Sequence, residues 1–178
     1  MQRLWRIVLI SAAVVAAAAA TALGTAYSLG AFAEAGRFKA APGCAVLDAS
    51  TIAPVFADAG SVPQVEADED NCTATDGKVQ INVGYTVVAK HGTVGGPELA
   101  SRYLDATGGS GSETLKGVGD QAMRQRTQAI GAPQVISMRV SNLIVVLSVV
   151  NVSGGDLPGS AEDGLVKVAT ALGARLAA

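Results

Sequence analysis

Lys78 to Lys90, KVQINVGYTVVAK, sets Val79, Ile81, Val83, Tyr85 and Val87 in alternation with Gln80, Asn82, Gly84 and Thr86. A period of two sends successive side chains to opposite faces of an extended chain. The stretch therefore predicts a strand with one face in a core and the other in water. Asp76-Gly77 precedes it, and that dipeptide marks a tight hairpin because glycine accepts the positive φ such a turn demands. Cys72 to Thr75 then becomes the partner strand.

Toward the C-terminus, His91 to Gly96 turns out of the strand into Pro97, whose fixed φ suits the first turn of a helix. Leu99, Tyr103 and Leu104 give that helix an apolar stripe, and Gly108-Gly109 ends it. GGSGSE, residues 108–113, reads as a flexible connection. Gly117-Val118-Gly119-Asp120 is a turn opening a strand that runs through about Thr127. Gln134 to Val140 and Leu143 to Val152 (LIVVLSVVNV) are two further strands around the corner Ser141-Asn142. The second is apolar almost throughout. Such a run suits a central strand covered on both faces, or one whose second face lines a groove or a partner contact. Val145, Val146 and Val149 are accordingly the candidate ligand or partner face. Ser160 is placed to cap a last helix with Glu162 and Asp163 in its first turn, and Leu165, Val168, Leu172 and Leu176 form its buried stripe.

On the N-terminal side, Asp48 or Ser50 can cap a short helix to about Ala59, with Pro54 in its early part and Ile52, Val55 and Phe56 at helical spacing. From Gly60 to Asp70 the chain reads as a loop carrying Glu66, Asp68, Glu69 and Asp70. Calcium coordination would need oxygens alternating around a glycine turn with a bidentate acid beyond it. That spacing is missing, and a solvated loop is the better reading. Residues 30–43, small and polar, read as a tether.

Ile7 to Leu29 contains no charged residue. As a helix it would be roughly 35 Å long, enough for a hydrocarbon core of about 30 Å. Arg3 and Arg6 precede it and no acid appears before Glu34, so residues 1–6 are expected in the cytoplasm and the rest outside. The alternative is a signal peptide cleaved near Ala31-Phe32-Ala33, which would make the protein secreted. Cys44 lies too far downstream, behind a proline, to be the acylated cysteine of a lipoprotein.

From Glu34 onward the chain holds 11 of its 13 Lys and Arg and all 15 Asp and Glu. That mild acidity, without a basic stripe, argues against nucleic acid as a partner. Aromatic residues make up 4% of the chain, so the core must be aliphatic. Cys44 and Cys72 are the only cysteines, and in an exported chain they are expected to form one disulfide. In the chain-entropy picture, closing that loop contributes roughly 3 to 4 kcal/mol.

No catalytic constellation is legible. His91 is the only histidine, so a Ser-His-Asp hydrolase would rest on it alone. Ser110 in Gly-Gly-Ser-Gly-Ser lacks the last glycine and the entering strand of a nucleophile elbow. Gly117 and Gly119 lack the third glycine and the following helix of a dinucleotide fingerprint. No spacing selects two carboxylates for acid/base work. Hence no catalytic residue, metal ligand or cofactor is assigned.

Cys44-Ala45-Val46-Leu47 with its short helix, Cys72, Gly117 to Ala122 before a strand, the apolar strand Leu143 to Val152 and an alanine-rich last helix together resemble a group of small exported actinobacterial envelope proteins. Many of these are lipoproteins, and some serve as extracellular sensor-like domains. The resemblance spans residues 44–177 and implies compartment and fold but no catalytic residues. The expected protein is an α+β domain, residues 44–178, with an antiparallel sheet of about five strands packed by two to three helices behind one N-terminal membrane or signal helix. Its expected role is an extracytoplasmic binding or interaction domain, anchored in the membrane and meeting an envelope protein, peptide or lipid. The alternatives are a secreted carrier of a small apolar ligand and an exported hydrolase.

Overall fold

A computed structural model describes residues 30, 31, 33–68, 71–109, 111–125 and 131–178. The expected membrane segment 7–29 lies outside the described residues, as do Glu69, Asp70 and Ser110. Among the described residues no helix is long and apolar enough to cross a membrane.

The body is α+β, built on one antiparallel sheet of seven strands in the order β1-β2-β3-β7-β6-β5-β4. The strands are β1 (Glu66–Asp68), β2 (Asn71–Thr75), β3 (Val79–Val87), β4 (Ser112–Thr114), β5 (Gln121–Gln125), β6 (Gln134–Val140) and β7 (Leu143–Asn151). The helices are α1 (Ala49–Ile52), which runs on as a tighter turn over Ala53–Phe56, α2 (Gly96–Thr107) and α3 (Gly159–Ala177).

Two more strands are present than the sequence patterns predict. β1 arises from the acidic stretch taken as loop, and β4 from the end of the glycine-rich connection. Both are three residues long, at opposite edges of the sheet. Polar tripeptides carry no alternation signal, and they become strands because a neighbour offers a ladder, Thr73 to Glu66 on one side and Met123 to Thr114 on the other. Short polar edges also deny an incoming chain a place to pair.

Val79, Ile81, Val83 and Tyr85 of β3 are buried, as the alternation requires. Register places Ile81, Val83 and Tyr85 beside Val149, Leu147 and Val145 of β7, and these beside Gln134, Ile136 and Met138 of β6. α3 covers this face with Leu165, Val168, Leu172 and Leu176, together with Ile52, Val55 and Phe56, which pack beside it. Gly164 of α3 is where these two pieces meet. A Cβ there would lie 2.2 Å from the carbonyl oxygen of Pro54, so only glycine permits the approach. On the opposite face α2 packs Ala100 and Leu104 onto Ile144.

Asp48 caps α1 by accepting from the Thr51 N–H. Ser160, by contrast, does not cap α3. The N-cap is Pro158, without a side-chain bond, and its carbonyl accepts from Ala161 and Glu162. The Ser160 hydroxyl is engaged instead by Asp58, which removes it from capping. The cysteines form the disulfide Cys44–Cys72, with Cα atoms 5.5 Å apart.

The chain before Cys44 lies along one end of the sheet. Gly96 N–H donates to the Glu34 carbonyl at 2.9 Å, and Lys90 Nζ to the Gly30 carbonyl at 3.1 Å. Arg37 N–H donates to Ser141 Oγ at 3.0 Å, and its guanidinium to the carbonyls of Leu176 and Ala177. Ser141 sits at φ 54, an unfavourable conformation for a residue with a Cβ. Its remaining polar atoms hold it there: its N–H donates to Asp120 Oδ2 at 2.7 Å and its carbonyl accepts from Arg139 at 2.9 Å.

Candidate functional site

The three valines singled out in β7 do not share a face. Val145 and Val149 are fully buried beneath α3, whereas Val146 points to the other side and is 40% exposed. An odd–even split follows from the strand period itself. Val146 lies in the part of the outer face that α2 leaves uncovered. Around it stand Gly84 and Asn82 of β3, Thr73 of β2 and Ser148 of β7, none of them charged. Thr73 Oγ1 and Gln80 Nε2 both donate to Asn82 Oδ1, at 3.1 and 2.8 Å, which ties the polar side chains to one another.

A different place gathers cavities. It is the end of the sheet away from the N-terminal arm, where three segments distant in sequence converge: the turn after Phe56, the β2–β3 turn and the start of α3. One cavity of about 400 Å³ is lined by Asp58, Ser61, Thr75, Asp76 and Lys78, among others. A second of about 200 Å³ has Val55, Phe56, Val79, Pro158 and Ala161 in its wall and shares Asp58, Asp76 and Lys78 with the first. A third of about 140 Å³ shares Pro63 and Thr75 with the first and reaches Glu66 on β1. Shared walls make these one furrow, apolar at the α3 end and acidic along its rim. Val145, Val146 and Val149 line none of the three.

Local chemistry fixes the rim. Asp76 Oδ1 accepts from the backbone N–H groups of Lys78 and Val79 at 2.8 and 2.7 Å, and Gly77 supplies the turn with φ 87. Burial works against the Asp76 charge, but these N–H groups and the Lys78 ammonium outweigh it and hold the carboxyl below its ordinary range. Asp58 is placed by the Ser160 hydroxyl, so the start of α3 orients a carboxylate on the facing turn. Among the described residues none of the ion pairs involves Asp58, Glu66 or Asp76. The furrow thus presents three carboxylates and one ammonium beside an apolar pocket.

Asp48 accepts from Ser50, Thr51 and Arg175 and is held far below the usual carboxylate range by those bonds, Ser50 first. The Tyr85 hydroxyl is pushed up to about 12 by burial and has no hydrogen-bond partner among the described residues. His91 sits in a small turn, its backbone exchanging hydrogen bonds with Val94 at 3.0 Å. No group of three or more His, Cys, Asp or Glu among the described residues could hold a metal ion.

The furrow was not legible in the sequence. Its walls come from positions 55–66, 75–79 and 158–161, and no local spacing links them. The one signal was Asp76-Gly77, read correctly as a turn but not as the rim of a site. None of the protein-family models, curated proteins or solved structures compared with this chain matches it.

Proposed function

We propose that the chain is a non-catalytic binding module of the bacterial cell envelope, held at the outer side of the membrane by residues 7–29, with the furrow as its ligand site. The kinship with exported actinobacterial envelope proteins is part of this proposal. The observation that carries it is an opposition of ends. The arm that would lead from the membrane packs against Ser141, Asn142 and the start of α2, beside Leu143 at one end of β7. The furrow opens next to Val79, which pairs with Asn151 at the other end of that strand. Along the strand that separates arm and furrow by roughly 27 Å. A domain so tied presents its furrow away from the lipid surface.

The test places a photo-reactive phenylalanine analogue at Ser61, on the furrow, or at Asp163, on α3, in the full chain in whole cells. The reading expects cross-linked species from Ser61 and none from Asp163. Equal cross-linking from both, or cross-links only to cytoplasmic components, overturns it.

A further inference from the structure

We infer that the furrow takes a short extended peptide carrying a lysine or arginine next to an apolar residue, the apolar side chain in the pocket of Phe56 and Val79 and the cation between Asp58 and Asp76. This deepens the binding reading and rests on it. The apolar end comes first in the argument. Val55, Phe56, Val79, Pro158 and Ala161 wall a cavity of about 200 Å³, room for one aliphatic side chain rather than a lipid tail or a fused-ring cofactor. A ligand that stopped there would leave the carboxylates of Asp58 and Asp76, which line the same cavity, facing an apolar group. Charge complementarity then favours a cation next to the apolar group, because Asp58 and Asp76 line this cavity with only Lys78 opposite them.

Length follows from continuity. The furrow runs on through the cavity of Ser61, Pro63 and Thr75 to the one that reaches Glu66 and Thr73. Polar atoms along that path, the hydroxyl of Ser61 and the amide of Gln64, can meet a peptide backbone, which needs both donors and acceptors. Glu66 offers a third anionic point at the far end. Among the described residues Lys78 is the only cation on the walls, so an anionic or neutral chain would meet the wrong balance of charge.

The experiment measures binding of a dye-labelled hexapeptide, acetyl-Ala-Val-Lys-Ala-Lys-Gly-amide, to the disulfide-bonded full chain by fluorescence anisotropy. Controls replace both lysines by glutamate, or the valine by glycine. The inference expects binding that weakens at least about tenfold for the glutamate peptide. It expects a loss of several-fold for the glycine peptide and a further weakening between about 50 and 500 mM salt. Asp58→Asn, which keeps the oxygen that Ser160 bonds, combined with Glu66→Gln should cost at least about tenfold while leaving the thermal transition in place. Equal affinity for the lysine and glutamate peptides, an unchanged affinity of the double variant, or no binding at about 50 mM salt overturns the inference. Spermidine competing as well as the peptide would overturn the apolar half of it. If Ser61 still cross-links in cells while basic peptides fail, the binding module stands and only its ligand chemistry falls.

Discussion

The side-chain amide of Asn142 pairs with both backbone polar atoms of Phe38, as a neighbouring strand would. Its Oδ1 accepts from the Phe38 N–H at 2.9 Å, and its Nδ2 donates to the Phe38 carbonyl at 2.9 Å and to the Val88 carbonyl at 3.0 Å. Asn142 is 1% exposed, so these bonds are made out of water, where a lost partner is expensive. Asn142→Leu would leave three backbone groups without their partner. The expected loss is about 2 to 4 kcal/mol, read from the urea midpoint, together with faster proteolysis between residues 33 and 43. An unchanged cleavage rate would show that the arm is held by other contacts.

The split of the β7 valines gives a paired expectation. Val145→Ala removes two methyl groups from a fully buried site and should cost about 1 to 3 kcal/mol. Val146→Ala, on the uncovered face, should stay within about 0.5 kcal/mol. Thermal denaturation of the two variants side by side checks the assignment of faces.

Gly→Ala inside a helix ordinarily gains stability, by roughly 1 kcal/mol. At Gly164 the sign should reverse, because the new methyl group would meet backbone atoms of Pro54 and Val55. A loss of about 2 kcal/mol or more is expected for Gly164→Ala. Gly159→Ala, whose Cβ would meet nothing within 4 Å, serves as the control.

Tyr85 and Asp48 shift in opposite directions and act at opposite ends of the pH range. Tyr85, with its pKa raised to about 12 by burial, ionises more readily when unfolded. Its contribution is complete below about pH 10 and drains away between about 10 and 12, by up to about 1.4 kcal/mol per pH unit. Tyr85→Phe should flatten that alkaline limb of a denaturation series. Asp48 shifts the other way, so its contribution is present above about pH 4 and is lost as pH falls below it. Asp48→Asn should blunt the acid limb and leave the alkaline one untouched.

What could be read from the sequence was whatever repeats along a single segment. The alternation from Val79 to Tyr85 and the stripe of Leu165, Val168, Leu172 and Leu176 both led to the right faces, because burial on one side imposes a period. β1 and β4 had no such period and exist through their neighbours. Leu143 to Leu147 is apolar at every position, so its middle strand place was legible but not which valine faces outward. Ser160 had the right chemistry for a cap, and only the position of Asp58 across the gap redirected its hydroxyl. The furrow was the least legible feature, since Phe56, Asp76 and Pro158 meet only after the sheet and α3 are in place.

The bond joins Cys44 to Cys72, 28 positions apart in sequence, and the ring so closed contains Phe56, Asp58, Ser61 and Glu66. One bank of the furrow is thus covalently fenced, while the other is built by the β2–β3 turn and the start of α3. The bond adds a covalent tie to a bank that the buried Ile52, Val55 and Phe56 already seat in the core.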